Sequence, residues 1–406
     1  MATVVVVGAG IGGLTAATTL RKGLGPEHRV VVMERETVQG FHPSLLWVLE
    51  GRRAPKDITR SLDAIKRRGI TLVHDTVEDI DMARRLVKCE REQVRYDFLV
   101  VAPGADHAPE LVPGLVDGPT HPMASGSART SGPVFNLFSI EGVLGLRGAL
   151  ETAERGDILV VAPRGPQKCP PVLSEIAMVI DRVLRRAGKR GRFAISAFSP
   201  ETLPFEAAGA AVGRLAVHTM AHRGVSYYGN WHLESVDTAR RVAVFTEGRV
   251  AYDILAFLPP IRVPDFVTRA GLSSGNDGFV SVDPHYLSVS GSTATDPSSG
   301  KDRVFAIGDV TDIPMPRGGS VPKSGAVAHL QSLVVAGNIP ALVRGKSPGR
   351  RFSGTAMCVI EMGDLAPITA VGNFLAQSGD FKVLPRLRAF VAIKAAIERN
   401  WLRERQ

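Results

Sequence analysis

Three glycines near the N-terminus have the spacing of a phosphate-binding loop. Gly8, Gly10 and Gly13 follow a β-branched run at 4–7 and open a helical pattern at 14–21. In such a loop the first glycine allows a tight turn, the second lets the backbone approach a pyrophosphate, and the third lets the helix pack closely on the strand. The pattern predicts a dinucleotide site at the N-terminus of a helix.

A glutamate completes this pattern. Glu34 ends a second apolar run at 30–33 and lies 21 residues after Gly13. A carboxylate at this distance can accept a hydrogen bond from a ribose 2′-hydroxyl, so it favours an adenosine ribose without a 2′-phosphate. These residues fit NAD and FAD equally well.

Two distant segments favour FAD. Strand-like runs at 96–101 and 303–307 each end in a turn of small residues, namely Ala102, Pro103 and Gly104 in the first and Gly308 and Asp309 in the second. Both segments resemble the distal motifs of flavoproteins with two dinucleotide-binding domains. In those proteins the Gly-Asp pair closes on the ribityl chain and pyrophosphate of FAD.

The remaining pattern predicts an α/β protein with two Rossmann-like domains. Strand-like runs at 157–162 and 192–197 flank a helical pattern at 173–186, which makes a second β-α-β unit. We therefore divide the chain into the first part of an FAD-binding domain (1–108), a second Rossmann-like domain (109–262), the second part of the FAD-binding domain (263–340, with a polar loop at 290–302) and a C-terminal segment (341–406).

The loop at 163–171 makes the second domain degenerate as a nucleotide site. An NADH-oxidising relative would carry another glycine loop here, whereas this chain has Pro163, Pro166, Pro170 and Pro171. Proline has no N–H and fixes φ, so the loop cannot offer a row of backbone donors to a pyrophosphate. The sequence thus predicts no NAD(P)H site in this domain.

Composition and charge exclude other classes. A chain of 406 residues exceeds one hydrophobic core, and three cysteines are too few for a disulfide scaffold. The net charge of +9 comes without aromatic platforms, so we predict no nucleic-acid partner, and the histidines lack the spacing of a metal site. No apolar run reaches the length of a membrane span, and the N-terminus lacks signal-peptide features, which predicts an intracellular protein.

Five short motifs follow one another along the chain. They are Phe41-His42-Pro43-Ser44-Leu45-Leu46-Trp47-Val48, Lys168-Cys169-Pro170-Pro171 with Glu175, Phe305-Ala306-Ile307-Gly308-Asp309, Val321-Pro322-Lys323-Ser324-Gly325, and Cys358 near Glu361. In this order they resemble the sulfide:quinone oxidoreductase family. The related flavoprotein of flavocytochrome c sulfide dehydrogenase shares much of the pattern.

The resemblance implies a redox reaction at two cysteines. Cys169 and Cys358 would form a disulfide above the flavin, sulfide or a related small sulfur compound would attack one sulfur to give a persulfide, and the freed thiolate would pass two electrons to FAD. A membrane quinone would then receive them. Lys168, beside Cys169, would favour the thiolate.

Further residues take their roles from the same resemblance. Glu175 is expected to transfer protons, because sulfide loses protons as its sulfur is oxidised. Lys323 is expected at the flavin or the quinone site, where its positive charge would stabilise reduced flavin. We also expect Arg35 and Pro43 to join the FAD-binding residues.

One departure leaves other functions open. Many family members carry a third cysteine after the first distal FAD motif, but residues 105–156 contain none. Cys89 precedes that motif and is interpreted as a small residue in a surface hairpin. The alternatives are an enzyme like the type II NADH:quinone oxidoreductases, and a flavin-binding protein without catalysis.

The C-terminal segment predicts a basic amphipathic helix. Residues 380–406 contain seven basic and three acidic side chains, and Leu, Ile, Val, Phe and Trp recur there at helical spacing. Such a helix can lie in a membrane interface, which predicts a peripheral protein on the cytoplasmic side of the cell membrane. Packing on the protein's own core or on a second subunit, as in a homo-oligomer, is the alternative.

Overall fold

The structure is a computed structural model that describes residues 1–115, 133–289, 295–296, 301–377 and 381–403. The helices are α1 (Ile11–Gly23), α2 (Leu45–Leu49), α3 (Pro55–Ile58), α4 (Ile140–Thr152), α5 (Val172–Arg186), α6 (Ala210–His222), α7 (Asp265–Arg269), α8 (Gly325–Val343) and α9 (Ala389–Arg403). The strands are β1 (Thr3–Val7), β2 (Arg29–Glu34), β3 (Val38–Gly40), β4 (Thr59–Ser61), β5 (Thr71–His74), β6 (Val77–Asp81), β7 (Leu86–Cys89), β8 (Gln93–Arg95), β9 (Phe98–Val101), β10 (Asp106–His107), β11 (Val134–Asn136), β12 (Gly156–Val161), β13 (Phe193–Phe198), β14 (Val225–Tyr228), β15 (Leu233–Asp237), β16 (Val242–Phe245), β17 (Gly248–Ala251), β18 (Ile254–Phe257), β19 (Ile261–Arg262), β20 (Val280–Ser281), β21 (Thr295–Asp296), β22 (Lys301–Asp302), β23 (Val304–Ala306), β24 (Thr311–Asp312), β25 (Thr355–Met362), β26 (Leu365–Asn373) and β27 (Lys382–Val383). Most of the predicted polar loop at 290–302, and residues 380 and 404–406 of the predicted C-terminal helix, lie outside the described residues.

The first sheet is parallel and has the strand order β23-β9-β1-β2-β5. Its central strand β1 pairs with β2 and β9 through the β-branched run at 4–7, which is fully buried because both faces of the sheet are covered. The strand β23 joins β9 only after the chain has built the second sheet. The chain therefore leaves this sheet and returns to it, as the sequence predicted.

The second sheet is also parallel, with the order β11-β18-β12-β13-β14. Its central strand β12 leads through the loop at 163–171 into α5, so β12, α5 and β13 form the predicted second β-α-β unit. The α/β class with two Rossmann-like sheets is confirmed, whereas the domain boundaries proposed above stay predictions.

The C-terminal segment adds a third, antiparallel sheet of β25, β26 and β27, followed by α9. The strand β25 packs against α5, and α9 packs against β25 and β26. This arrangement places the C-terminal helix over the start of α5.

Among the described residues, one helix passes the length and composition test for a membrane span, so the expectation that no run would do so was wrong. It is α8, whose most apolar 18-residue window has a mean hydropathy of 1.5 and is 61% buried. This helix packs along α1 beneath the first sheet and buries polar side chains such as Gln331 and Asn338. Its packing is that of a core helix.

Candidate active site

A cavity of about 850 Å³ opens between loops of both parallel sheets, β25 and α9. Its volume lies within the range of cofactor and substrate sites. The predicted site residues that line it are Gly10, Glu34, Pro43, Ala102, Pro103, Gly104, Cys169, Glu175, Gly308, Asp309, Lys323 and Cys358. The fold thus brings together residues that lie more than 300 positions apart in the sequence.

The glycine loop has the geometry of a pyrophosphate cradle. Gly8 has φ +94°, and a Cβ there would lie 2.3 Å from the Ala102 carbonyl oxygen. A Cβ on Gly13 would lie 2.0 Å from the Gly8 carbonyl oxygen, so α1 can approach β1 only without a side chain at this position. Above Gly10, in contrast, no atom lies within 4 Å of a Cβ, which leaves room for a ligand. These residues fit FAD.

Glu34 lies at the edge of this cradle. Its Oε2 accepts a hydrogen bond of 2.7 Å from the Ala9 amide, and its Oε1 accepts one from the Glu36 amide. Burial raises the pKa of the Glu34 carboxyl, although the two amides act in the opposite direction. Arg35, which we expected at the cofactor, does not line the cavity; its Nη2 lies 3.2 Å from the Asp106 Oδ1.

Two lysines lie at the other end of the cavity. Lys323 Nζ donates to the Thr311 carbonyl oxygen at 2.7 Å and lies 3.5 Å from the centre of the Phe279 ring. Burial lowers the pKa of Lys323 to about 8. Lys168 Nζ donates to the Ala105 carbonyl oxygen at 2.9 Å and lies 3.5 Å from Asp309 Oδ2. The ammonium group of Lys168 thus pairs with Asp309, and its effect on the Cys169 thiolate stays a prediction.

Two thiols face the same cavity from different elements. Cys169 precedes α5 with a left-handed backbone, φ +50°, and its amide donates to the Lys323 carbonyl oxygen at 2.8 Å. Cys358 lies in β25, and both cysteines are free thiols. Burial raises the pKa of Cys169, and the nearby Glu175 carboxylate raises it further. Burial and Glu175 raise the pKa of Cys358 to about 12, so both thiols are protonated at neutral pH.

A buried charge network surrounds the thiols. Glu175 Oε1 accepts a hydrogen bond of 3.0 Å from the Glu361 amide, and Lys394 Nζ of α9 lies 3.5 Å from Glu175 and 2.7 Å from Glu361. Trp47 Nε1 donates to both oxygens of the Glu361 carboxylate. Burial raises the pKa of Glu175, against the effect of Lys394. Glu175, Glu361 and Lys394 thus form a charged cluster beside Cys169 and Cys358, and we call this part of the cavity the thiol pocket.

Comparison with known proteins places this arrangement in a family. Residues 2–332 match the model of the pyridine nucleotide-disulphide oxidoreductases. The chain belongs to this family. It is accordingly an FAD-dependent oxidoreductase, and the cofactor expected from the sequence is confirmed.

Individual relatives confirm the resemblance to sulfide:quinone oxidoreductases that the sequence motifs indicated. The mitochondrial sulfide:quinone oxidoreductase of Mus musculus is 24% identical over 92% of this chain and 78% of its own. The sulfide-quinone reductase of Aquifex aeolicus is 24% identical over 89% of this chain and 81% of its own. The crystal structure of the sulfide:quinone oxidoreductase from Aquifex aeolicus superposes with a TM-score of 0.83 at 21% identity, covering 99% of this chain and 91% of that one.

The positions of some functional side chains could not be predicted from the sequence. Lys394 was counted among the basic residues meant for lipid, although it points into the thiol pocket. His42 lines the cavity, and burial lowers its pKa to about 3, so its imidazole is neutral at physiological pH. Leu137 and Phe138 line the cavity from the segment where the family resemblance led us to expect a third cysteine. The spacing of Lys394 and Glu398, one helical turn apart, is the only signal in this helix that could have indicated an inward polar face.

Proposed function

We propose that this flavoprotein oxidises sulfide at Cys169 and Cys358 and passes the electrons through FAD to a membrane quinone. The observation that carries the proposal is the position of the two thiols, 189 residues apart in sequence, in one cavity with the glycine cradle. A pair of thiols is the group that exchanges sulfur with sulfide, and the neighbouring cofactor site gives the electrons a destination.

The reaction begins from the oxidised form, in which a disulfide joins the two cysteines. Hydrosulfide attacks one sulfur, which forms a persulfide on that cysteine and breaks the bond to the other, whose thiolate is the leaving group. A second sulfide then takes the outer sulfur of the persulfide, so that a polysulfide leaves and two reduced cysteines remain. Bound FAD supplies the two-electron acceptor that restores the disulfide.

The residues around the thiols handle the protons of this cycle. Because burial keeps both reduced thiols neutral, restoring the disulfide requires the two thiols to give up their protons. Glu175 is the carboxylate whose charge acts on both thiols, and its raised pKa suits a proton acceptor. Lys394 keeps a positive charge next to Glu175 and limits the repulsion between Glu175 and the departing thiolate.

The outer face of α9 suits a quinone delivered from a membrane. Ile393 and Ile397 line the cavity and are 41% and 54% exposed, so they form an apolar rim at its mouth. Leu387, before the helix, is 54% exposed. We place this rim at the membrane interface on the cytoplasmic side, with Arg388 and Arg399 near the lipid headgroups. Whether two chains associate stays a prediction.

The second sheet argues against NADH as the electron donor. In the loop at 163–171, Pro170 and Pro171 have no amide hydrogen, and the Cys169 amide already donates to the Lys323 carbonyl oxygen. The start of α5 therefore offers no row of free donors for a second pyrophosphate. This feature favours sulfide over the NADH:quinone alternative.

The proposal is tested by reducing the purified FAD protein without oxygen. Sulfide should bleach the oxidised flavin, and a quinone should restore its colour with the release of one quinol per two electrons. NADH at the same concentration should reduce the flavin far more slowly. Rapid reduction by NADH with no response to sulfide would replace this function with that of an NADH:quinone oxidoreductase. No response to either donor would favour a flavin-binding protein without catalysis.

A further inference from the structure

The inner face of α9 carries a cation into the thiol pocket. Lys394 Nζ lies 2.7 Å from Glu361 Oε1 and 3.5 Å from Glu175 Oε1, and the same side chain lies 5.6 Å from the centre of the Trp47 ring. Burial alone would lower the pKa of Lys394, but the two carboxylates hold it above its ordinary value. The ammonium group therefore stays charged although it is almost fully enclosed.

The two thiols differ in what faces them. Around Cys169, Glu175 of α5, Cys358 of β25 and Asp309 after β23 disfavour the thiolate, whereas Lys394 favours it. For Cys358, the charged group that raises the pKa of the thiol is Glu175. Lys394, Cys169 and Cys358 line one cavity, and Lys394 is the cation that favours the thiolate of Cys169.

The position of Lys394 depends on how α9 sits on the protein. One turn further along the helix, Glu398 accepts a hydrogen bond of 2.7 Å from Ser44 Oγ and pairs with Arg53 Nη2 at 2.8 Å. Lys394 and Glu398 form the inner face, while Ile393 and Ile397 lie on the outer face. One helix therefore presents charge to the thiols and an apolar rim to the outside.

We propose that Lys394 is a positioning residue that supplies the positive charge for thiolate formation at Cys169, and that α9 must be seated on the core for it to do so. The ion pairs to Glu175 and Glu361 orient the ammonium group, and the Glu398 contacts hold the helix. This inference rests on the proposed function only for the role of the Cys169 thiolate in sulfur exchange. The effect of the Lys394 charge on the Cys169 thiol is a property of the reduced protein and does not depend on that role.

Alkylation of the reduced full-length FAD protein by iodoacetamide tests this directly. The rates at Cys169 and Cys358 are measured separately, by mass spectrometry of their peptides, across a range of pH. In Lys394→Met the Cys169 rate at pH 8 should fall about tenfold, as for a pKa increase of about one unit. The Cys358 rate should change little. Lys394→Arg should restore most of the Cys169 rate, and Lys382→Met, which removes an exposed lysine of β27, should change neither.

A second variant tests the same charge effect in a protein that retains Lys394, in case Lys394→Met does not fold. Glu361→Gln keeps an oxygen for Trp47 but removes a negative charge from Lys394, so it should accelerate Cys169 alkylation. Unchanged Cys169 rates in both variants would overturn the inference, as would equal acceleration of both thiols in Lys394→Met, which would mean that α9 only shields the pocket. If sulfide fails to reduce the wild-type flavin while these alkylation differences persist, the proposed function fails and the inference stands.

Discussion

The two parallel sheets place a loop at the same position and use it differently. In each sheet the central strand, β1 or β12, runs into a loop that leads to a helix. After β1 the loop keeps open space above Gly10, whereas after β12 the loop carries prolines and Cys169. The loop at 163–171 is also tied to the other half of the molecule, since the Cys169 amide donates to the Lys323 carbonyl oxygen.

The difference shows that a β-α-β unit does not fix what it binds. Backbone donors that remain free at the start of a helix recruit a phosphate, and the same position without them can hold a reactive side chain instead. In this protein one loop addresses the cofactor, and the other carries Cys169. The cavity forms where the two loops face each other.

Replacing either Cys169 or Cys358 should abolish flavin reduction by sulfide and leave FAD binding at the glycine loop intact. In Cys169→Ser and Cys358→Ser, reduction of the flavin by sulfide should slow by more than about a thousandfold, because the nucleophile or its partner is lost. FAD content should equal that of the wild type. Cys89→Ser is the matched control, since Cys89 lies buried at the end of β7, where burial raises its pKa to about 12. Wild-type rates in both of the first two variants would remove the disulfide mechanism.

The complementary experiment adds a side chain to the glycine loop and should affect FAD binding. Gly10→Ala adds a methyl group in the open space where a pyrophosphate would lie, without a clash inside the protein. We expect the Kd for FAD to rise roughly tenfold or more, with little change in Tm of the protein without FAD. Gly148→Ala, which also meets no atom within 4 Å but lies on α4, should leave the Kd unchanged. Equal Kd values for both variants and the wild type would place the pyrophosphate elsewhere.

Lys323, whose carbonyl oxygen accepts from the Cys169 amide, gives a pH-dependent test. Because burial lowers its pKa to about 8, its positive charge is present below pH 8 and is lost above it. If this charge stabilises reduced flavin, the midpoint potential of the wild type should exceed that of Lys323→Met by about 30 mV below pH 8, and the difference should vanish above that pH. Lys346→Met removes an exposed lysine and serves as control. A difference that is constant with pH would exclude Lys323 as the titrating group.

Sequence and structure agree where the determinant is local. The glycine loop, Glu34 and the Gly308-Asp309 turn could be predicted because their spacing along the chain sets their geometry. The meeting of Cys169 and Cys358 required a family resemblance, because the contact of α5 with β25 depends on the whole fold. The place of Lys394 beside Glu361 could not be predicted for a related reason. A sequence neighbour such as Lys168 can turn to Asp309, and a distant lysine becomes the neighbour of Cys169 only once α9 is seated.

The smallest effect is expected at the outer face of α9. Truncating this helix would also remove Lys394 from the thiol pocket and the Glu398 contacts with Ser44 and Arg53, so a surface change is the cleaner test. In Ile393→Gln/Ile397→Gln, binding to anionic liposomes and reduction of long-tailed quinones should each weaken about three- to tenfold, since each isoleucine contributes at most about 1.5 to 3 kcal/mol on full burial and is partly covered already. Reduction by sulfide should be unchanged. Leu111→Gln/Leu144→Gln, a matched pair of exposed leucines elsewhere, should have no effect. If the α9 variant bound liposomes as the wild type does, the apolar rim would serve contact with protein instead of lipid.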